Sequence, residues 1–78
     1  MICELDTIVL THDITEHGLK KGDIGAVVHS YNDDAAFEVE FITADGKTVA
    51  LLTLNHKDIR PIRDKELLHV RELAHVTV

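Results

Sequence analysis

Gly18-Leu-Lys-Lys-Gly-Asp-Ile-Gly-Ala-Val-Val28 places three glycines, four and three residues apart, directly before a β-branched run. It reads as a loop closing into a strand. Gly18 and Gly22 shape the loop. Gly25 lies inside the strand Asp23–Tyr31, where a bend or a close backbone approach is the usual reason for glycine. Upstream, Leu5–Leu10 mixes β-branched and apolar residues and reads as a first strand. The dozen residues from Thr11 to Gly22 show no sustained period. That is long for a hairpin loop, so an ordered or functional loop is expected.

Downstream, Asn32–Ala35 is turn chemistry, because short Asx side chains bond their own backbone and tolerate left-handed geometry. Ala36–Ile42 alternates cleanly. Phe37, Val39 and Phe41 fall on one face and Glu38 and Glu40 on the other, as in a half-buried strand. Asp45-Gly46 between two β-like runs is a strong hairpin signal, so Thr48–Leu54 becomes an antiparallel fourth strand. That strand is apolar on both faces, and its second face needs a cover. Asn55–Asp58 reads as one tight helical turn. Ile59–Ile62 reads as a short fifth strand that Pro61 confines to a sheet edge. From Arg63 the spacing of Leu67, Val70 and Ala74, with Leu68, Leu73 and Val76 beside them, predicts an amphipathic helix. The Val76-Thr-Val78 end is equally strand-like. So short a helix must pack on strand four or on a second copy. Residues 1–62 thus form one domain and 63–78 a helical or extended tail that packs on it or on a partner.

With 78 residues, a single domain buries only about 60% of its unfolded surface, which leaves no room for a deep active site. Residues 1–46 hold ten acids against two bases and 47–78 four acids against six bases, for a formal charge of −6. Nucleic-acid backbones are bound by clustered Lys and Arg, so the acidic front suits a basic protein surface better. Aromatic residues are few: Tyr31, Phe37 and Phe41, with no Trp. Grooves for proline-rich peptides and stacking platforms for bases are therefore disfavoured. Cys3 is the sole cysteine, so neither an intramolecular disulfide nor a cysteine-paired zinc site is expected. There is no basic and apolar leader pattern and no run of about 20 apolar residues. A reducing cytoplasm is the expected location.

No catalytic grouping emerges. His12, Asp13 and His17 have ligand chemistry for zinc or nickel, but a His-x4-His spacing on a loop fixes no geometry, and a solvated loop is favoured. Glu38 and Glu40 could act as paired carboxylates only inside a cleft, and a solvated strand face is the better reading. Lys20 and Lys21 flank glycines, but Asp23 follows Gly22, so the phosphate-loop order is absent. No cofactor or metal is expected and the protein is not expected to be an enzyme. Asp13, Glu16, Glu38 and Glu40 are the candidate partner-binding residues. Gly18, Gly22, Gly25, Asp45, Gly46 and Pro61 are the candidate structural ones.

Set in order, Leu5–Leu10, Gly18–Val28, Phe37–Phe41, Asp45-Gly46 and Leu54 through Pro61 resemble the pattern of a family of small bacterial proteins of unknown biochemical role, over residues 4–62. The resemblance implies an all-β, five-stranded SH3-like barrel, and in some members an antitoxin or immunity role. Lys21–Val28 is also similar to the glycine-centred turn of ribosome- and transcription-associated small barrels, without their basic and aromatic residues. The expected function is a non-enzymatic protein-binding module, an antitoxin- or immunity-type neutraliser of a basic partner protein encoded by a neighbouring gene. The alternatives are a nucleic-acid- or ribosome-associated barrel and an accessory subunit of a larger enzyme. A homodimer through strand four or the tail is compatible with the pattern.

Overall fold

The computed structural model describes residues 2–31 and 35–73. Five strands, β1 (Thr7–Leu10), β2 (Ile24–Tyr31), β3 (Ala36–Ile42), β4 (Thr48–Leu54) and β5 (Ile59–Pro61), form one antiparallel sheet in the order β4-β3-β2-β1-β5. The fold is all-β. Phe37, Val39 and Phe41 from β3 meet Ile8 and Leu10 from β1, Val27 from β2, Ala50 and Leu54 from β4 and Ile59 from β5 in one core. Residues at the two ends of the sheet share that core, so the sheet curls over itself in a barrel-like manner. Two bulges sharpen the curl, one where β2 gives Val28 no partner on β3, and one where β4 does the same with Val49.

Gly25 pairs with Ile8 inside β2, and the bulge falls three residues later. Its requirement is space. A Cβ there would lie 2.8 Å from Val39 Cγ1 and 2.8 Å from Phe41 Cε1. Gly46 is glycine for a different reason: it has φ +87° with nothing within 4 Å of a built Cβ, so the hairpin needs the left-handed backbone rather than the room. Around it Thr43 N–H donates to Lys47 O at 2.9 Å, and the Thr43 hydroxyl donates to Asp45 Oδ1. Pro61 lies in β5, at the other edge of the sheet, opposite Ile8.

Three expectations are corrected. First, β1 begins at Thr7 rather than Leu5, because Leu5 is in a turn at φ +73°, where its side chain is 85% exposed. Second, the single turn of 3-10 helix lies in the long loop, at Thr15–His17, where the bridge Ile14–Leu19 closes it. Asn55–Asp58 is instead a turn stapled by its own side chains, Asn55 N–H to Asp58 Oδ2 at 3.0 Å and Lys57 N–H to Asn55 Oδ1 at 2.8 Å.

Third, the tail from Arg63 to Leu73 forms no helix. Its apolar stripe finds nothing to bury against: Leu67 is 95% and Val70 93% exposed. A helix of that length is marginal in water without a packed face. The tail also borders strand one. Val9 is buried yet stands outside the core cluster, on the sheet face away from Ile8 and Leu10. There it lines a small cleft with Ile24, Arg60, Glu66, Leu67 and His69. Leu51 on β4 stays more than half exposed. The strand or helix character of Val76–Val78 lies outside the described residues, as does most of the Asn32–Ala35 turn.

Candidate interaction groove

The outer face of the sheet follows from the register. Glu40 is opposite Ala26 on β2 and Leu51 on β4, and Glu38 is opposite Thr53. The Thr48 hydroxyl donates to Glu40 Oε2 at 2.8 Å. The Thr53 hydroxyl donates to Glu38 Oε1 at 2.8 Å, and the Tyr31 hydroxyl reaches the same oxygen at 3.4 Å. These neutral donors orient the carboxylates without cancelling their charge. Among the described residues neither Glu38 nor Glu40 forms an ion pair. Ile42 and Leu51, both more than half exposed, stand beside them. Between this face and the tail runs an open groove of about 970 Å³, lined among others by Ala26, Glu40, Ile42, Asp45, Leu68 and Val70.

Two arginine clamps hold the tail, one at this groove and one at the small cleft beside Val9. Asp23 is buried at 7% exposure and makes five contacts. Its Oδ2 accepts from Lys20 N–H at 2.8 Å, and Arg71 donates from Nε to Oδ1 at 2.8 Å and from Nη2 to Oδ2 at 2.5 Å. His69 Nε2 lies 3.2 Å from Oδ1, and Asp23 N–H donates to Lys20 O at 2.9 Å. Arg71 Nη2 also donates to Gly18 O at 2.9 Å. Burial pushes the Asp23 carboxyl upward, but the hydrogen bonds and charge of Arg71 and the Lys20 N–H outweigh it and leave it below the ordinary range.

The second clamp is Arg60–Glu66, with Nη1 to Oε1 at 2.8 Å and Nη2 to Oε2 at 2.6 Å, a two-bond fork–fork pair. Arg63 N–H adds a bond to Oε1 at 2.7 Å. Together the Arg60 guanidinium and the Arg63 N–H hold Glu66 down to about 2.

The loop residues serve the loop. Asp13 Oδ1 accepts from Lys21 N–H at 2.8 Å, and Glu16 lies exposed on the 3-10 turn. No described contact joins either to Glu38 or Glu40, so the four candidate carboxylates split into a loop pair and a sheet pair. His12 hydrogen-bonds to neither Asp13's carboxylate nor His17. Its Nε2 meets Asp58 Oδ1 at 2.7 Å while Nδ1 meets Asp13 O at 2.9 Å. Among the described residues no three His, Cys, Asp or Glu side chains gather as a metal site. Asp23, Arg60, Glu66 and Arg71 were not candidates on sequence grounds: the two arginine pairs close across 48 and 6 positions with no motif to announce them.

A model for a domain of unknown function (DUF4926) matches residues 4–61. The chain belongs to the DUF4926 family. No curated protein and no solved structure matches it. The family match takes in Asp23 and Arg60 and ends before Glu66 and Arg71, so each clamp joins a residue of the DUF4926 domain to a residue beyond it. No helix among the described residues is long and apolar enough to cross a membrane.

The His12–Asp58 pair gives a pH prediction. Hydrogen bonds to Asp58 and to the Asp13 carbonyl raise His12 above its ordinary 6.5. Burial pushes Asp58 up, but the His12 and Asn55 hydrogen bonds outweigh it and leave it below 3.8. A raised histidine stabilises the fold fully below its unfolded value and loses that contribution as pH rises through its folded value. A lowered carboxylate contributes above its unfolded value and loses it as pH falls through its folded value. The link between the long loop and the β5 turn is therefore complete between about pH 4 and 6.5. A proton-NMR titration of His12 is expected to show a midpoint above 6.5 that Asp58→Asn moves back toward the ordinary value, the Asp13 carbonyl bond remaining.

Proposed function

We propose that this DUF4926 protein is a non-enzymatic protein-binding module on an SH3-like barrel. It works in the cytoplasm as an antitoxin- or immunity-type neutraliser of a basic partner encoded by a neighbouring gene. The observation that carries the reading is the outer sheet face, where exposed Ile42 and Leu51 flank two carboxylates that have no cation of their own among the described residues. An apolar centre with uncompensated charge beside it is what a partner of opposite charge completes: apolar contact supplies affinity, and the carboxylates supply steering and register. The formal charge of −6 adds long-range attraction for a basic protein.

Co-expression with the product of the adjacent gene, followed by capture on the tagged full chain, tests the proposal. A complex is expected, and the double variant Glu38→Lys, Glu40→Lys is expected to weaken it by at least about tenfold, because it sets like charge against a basic partner. Both positions point outward, so circular dichroism should be unchanged. A complex indifferent to this reversal would move the interface elsewhere. No complex with the neighbour, or salt-sensitive RNA binding in its place, would overturn the neutraliser reading.

A further inference from the structure

The groove ends at a side chain that is already bound. Arg71 reaches Asp23 side-on, Nε on one carboxylate oxygen and Nη2 on the other, and Nη2 also donates to the Gly18 carbonyl. A lysine ammonium is a compact point donor that cannot span two oxygens and a carbonyl in this planar arrangement. Asp23 is prepared for it. Lys20 N–H holds its Oδ2, and the turn that makes this bond is part of the glycine-rich stretch of the domain itself.

The segment that delivers Arg71 is held weakly by comparison. Among the described residues the backbone of 67–73 makes no hydrogen bond to the sheet, and the one backbone bond of the tail is Glu66 N–H to Arg63 O, within the tail. Leu67 and Val70 face water. The tail hangs on the side chains of Glu66, His69 and Arg71. A segment with an unpaired backbone and solvent-facing leucines costs little to exchange, whereas the receptor beneath it is fixed by the sheet.

We propose that Asp23 and the Gly18 carbonyl form a guanidinium-binding site, that Arg71 is its resident occupant in cis, and that an extended, arginine-bearing segment of a basic partner takes the site by displacing the tail. Charge complementarity and the seated Arg71 name the occupant, and the sheet side of the groove, with Ala26 and Ile42, stays in place when the tail leaves and gives the residues around that arginine an apolar bed. The inference rests on the basic-partner reading for the identity of the ligand and on this site alone for its chemistry.

The probe is a synthetic peptide of residues 64–73 added to the full chain and followed by amide chemical shifts. The chain carrying Glu66→Ala and Arg71→Ala, whose tail is released, is expected to bind the peptide at least about tenfold more tightly than the wild-type chain, because a site occupied nine-tenths of the time in cis loses that factor in apparent affinity. A peptide with lysine in place of its arginine is expected to lose about tenfold, and adding Asp23→Asn to the released chain is expected to abolish the shifts. Equal binding to released and wild-type chains, or equal binding of the lysine peptide, would overturn the site. So would a wild-type dimer that dissociates on Arg71→Ala, since Arg71 would then be serving a second copy. Capture of the neighbouring protein that is untouched by Asp23→Asn would leave the neutraliser standing and remove the guanidinium site as its recognition element. Peptide binding without capture would do the reverse.

Discussion

Gly25→Val is expected to leave most of the chain unfolded at 25 °C, with Gly25→Ala folded but less stable by about 2–3 kcal/mol, the upper part of the range for overpacked cores. The argument is one of space. The first carbon added at Gly25 already stands 2.8 Å from both Val39 Cγ1 and Phe41 Cε1, closer than carbon atoms approach. Both neighbours are buried, Val39 completely, and neither is a flexible end that can swing into solvent. Valine adds two methyl groups to the same point. A domain of 78 residues has a stability of about 4–12 kcal/mol, so a clash that pries β2 from β3 consumes much of it. Entropy favours the substitution by at most about 1 kcal/mol, through the unfolded chain, and does not reverse the sign. Urea unfolding followed by circular dichroism gives the measurement. A Gly25→Val chain with a near-native midpoint would show that Phe41 can repack. If such a chain folded and lost only partner binding, the glycine stretch would be a ligand cradle rather than a packing site.

The strands were legible because their signals are local. Alternation along Phe37–Phe41, the Asp45-Gly46 hairpin and Pro61 each depend on neighbours within a few residues, and a period of two assigns faces without knowledge of the fold. Gly25 was legible as a close approach, but the identity of what approaches it, Phe41 and Val39 on the neighbouring strand β3, was not. The tail defeats a reading by periodicity for a reason that can be stated. Leu67, Val70 and Ala74 carry a helical spacing, but a helix of that length forms only where its apolar stripe is buried, and the surface on offer beside it is Val9 flanked by Arg60 and Asp23. Two charged anchors favour a chain that presents Glu66 and Arg71 to them over one that presents leucines. The site was illegible for the same reason: Asp23 and Arg71 are 48 positions apart, and nothing in a spacing says that they meet. The carboxylates on β3 were found because alternation put them outside. Asp23 reads in the sequence only as the start of the second strand and as the residue that breaks the phosphate-loop order, and neither reading marks an anchor.

Asp23→Ala is the second large effect, expected to destabilise the protein by about 2–4 kcal/mol, in the range for removing a partly buried, hydrogen-bonded charge. One carboxylate holds two things together. It caps the Lys20–Asp23 turn through the Lys20 N–H, and it anchors the tail through Arg71 and His69. Alanine removes both and leaves the Lys20 N–H without its acceptor. Asp23→Asn is expected to cost about half as much, since an amide oxygen can still accept from Lys20 while the charge facing Arg71 is gone. Arg71→Ala alone is expected to cost about 1 kcal/mol, because a released tail lets water reach the carboxylate, and a solvated charge is not an orphan. The order Asp23→Ala, then Asp23→Asn, then Arg71→Ala follows from the turn and the clamp being separate tasks. The double-mutant cycle between Asp23 and Arg71 isolates the clamp. Equal losses for Asp23→Ala and Arg71→Ala would mean that the turn does not need its carboxylate and that Asp23 serves the tail alone. A larger loss for Asp23→Ala places the receptor in the domain itself, formed before any arginine arrives, as a site open to an arginine from outside requires.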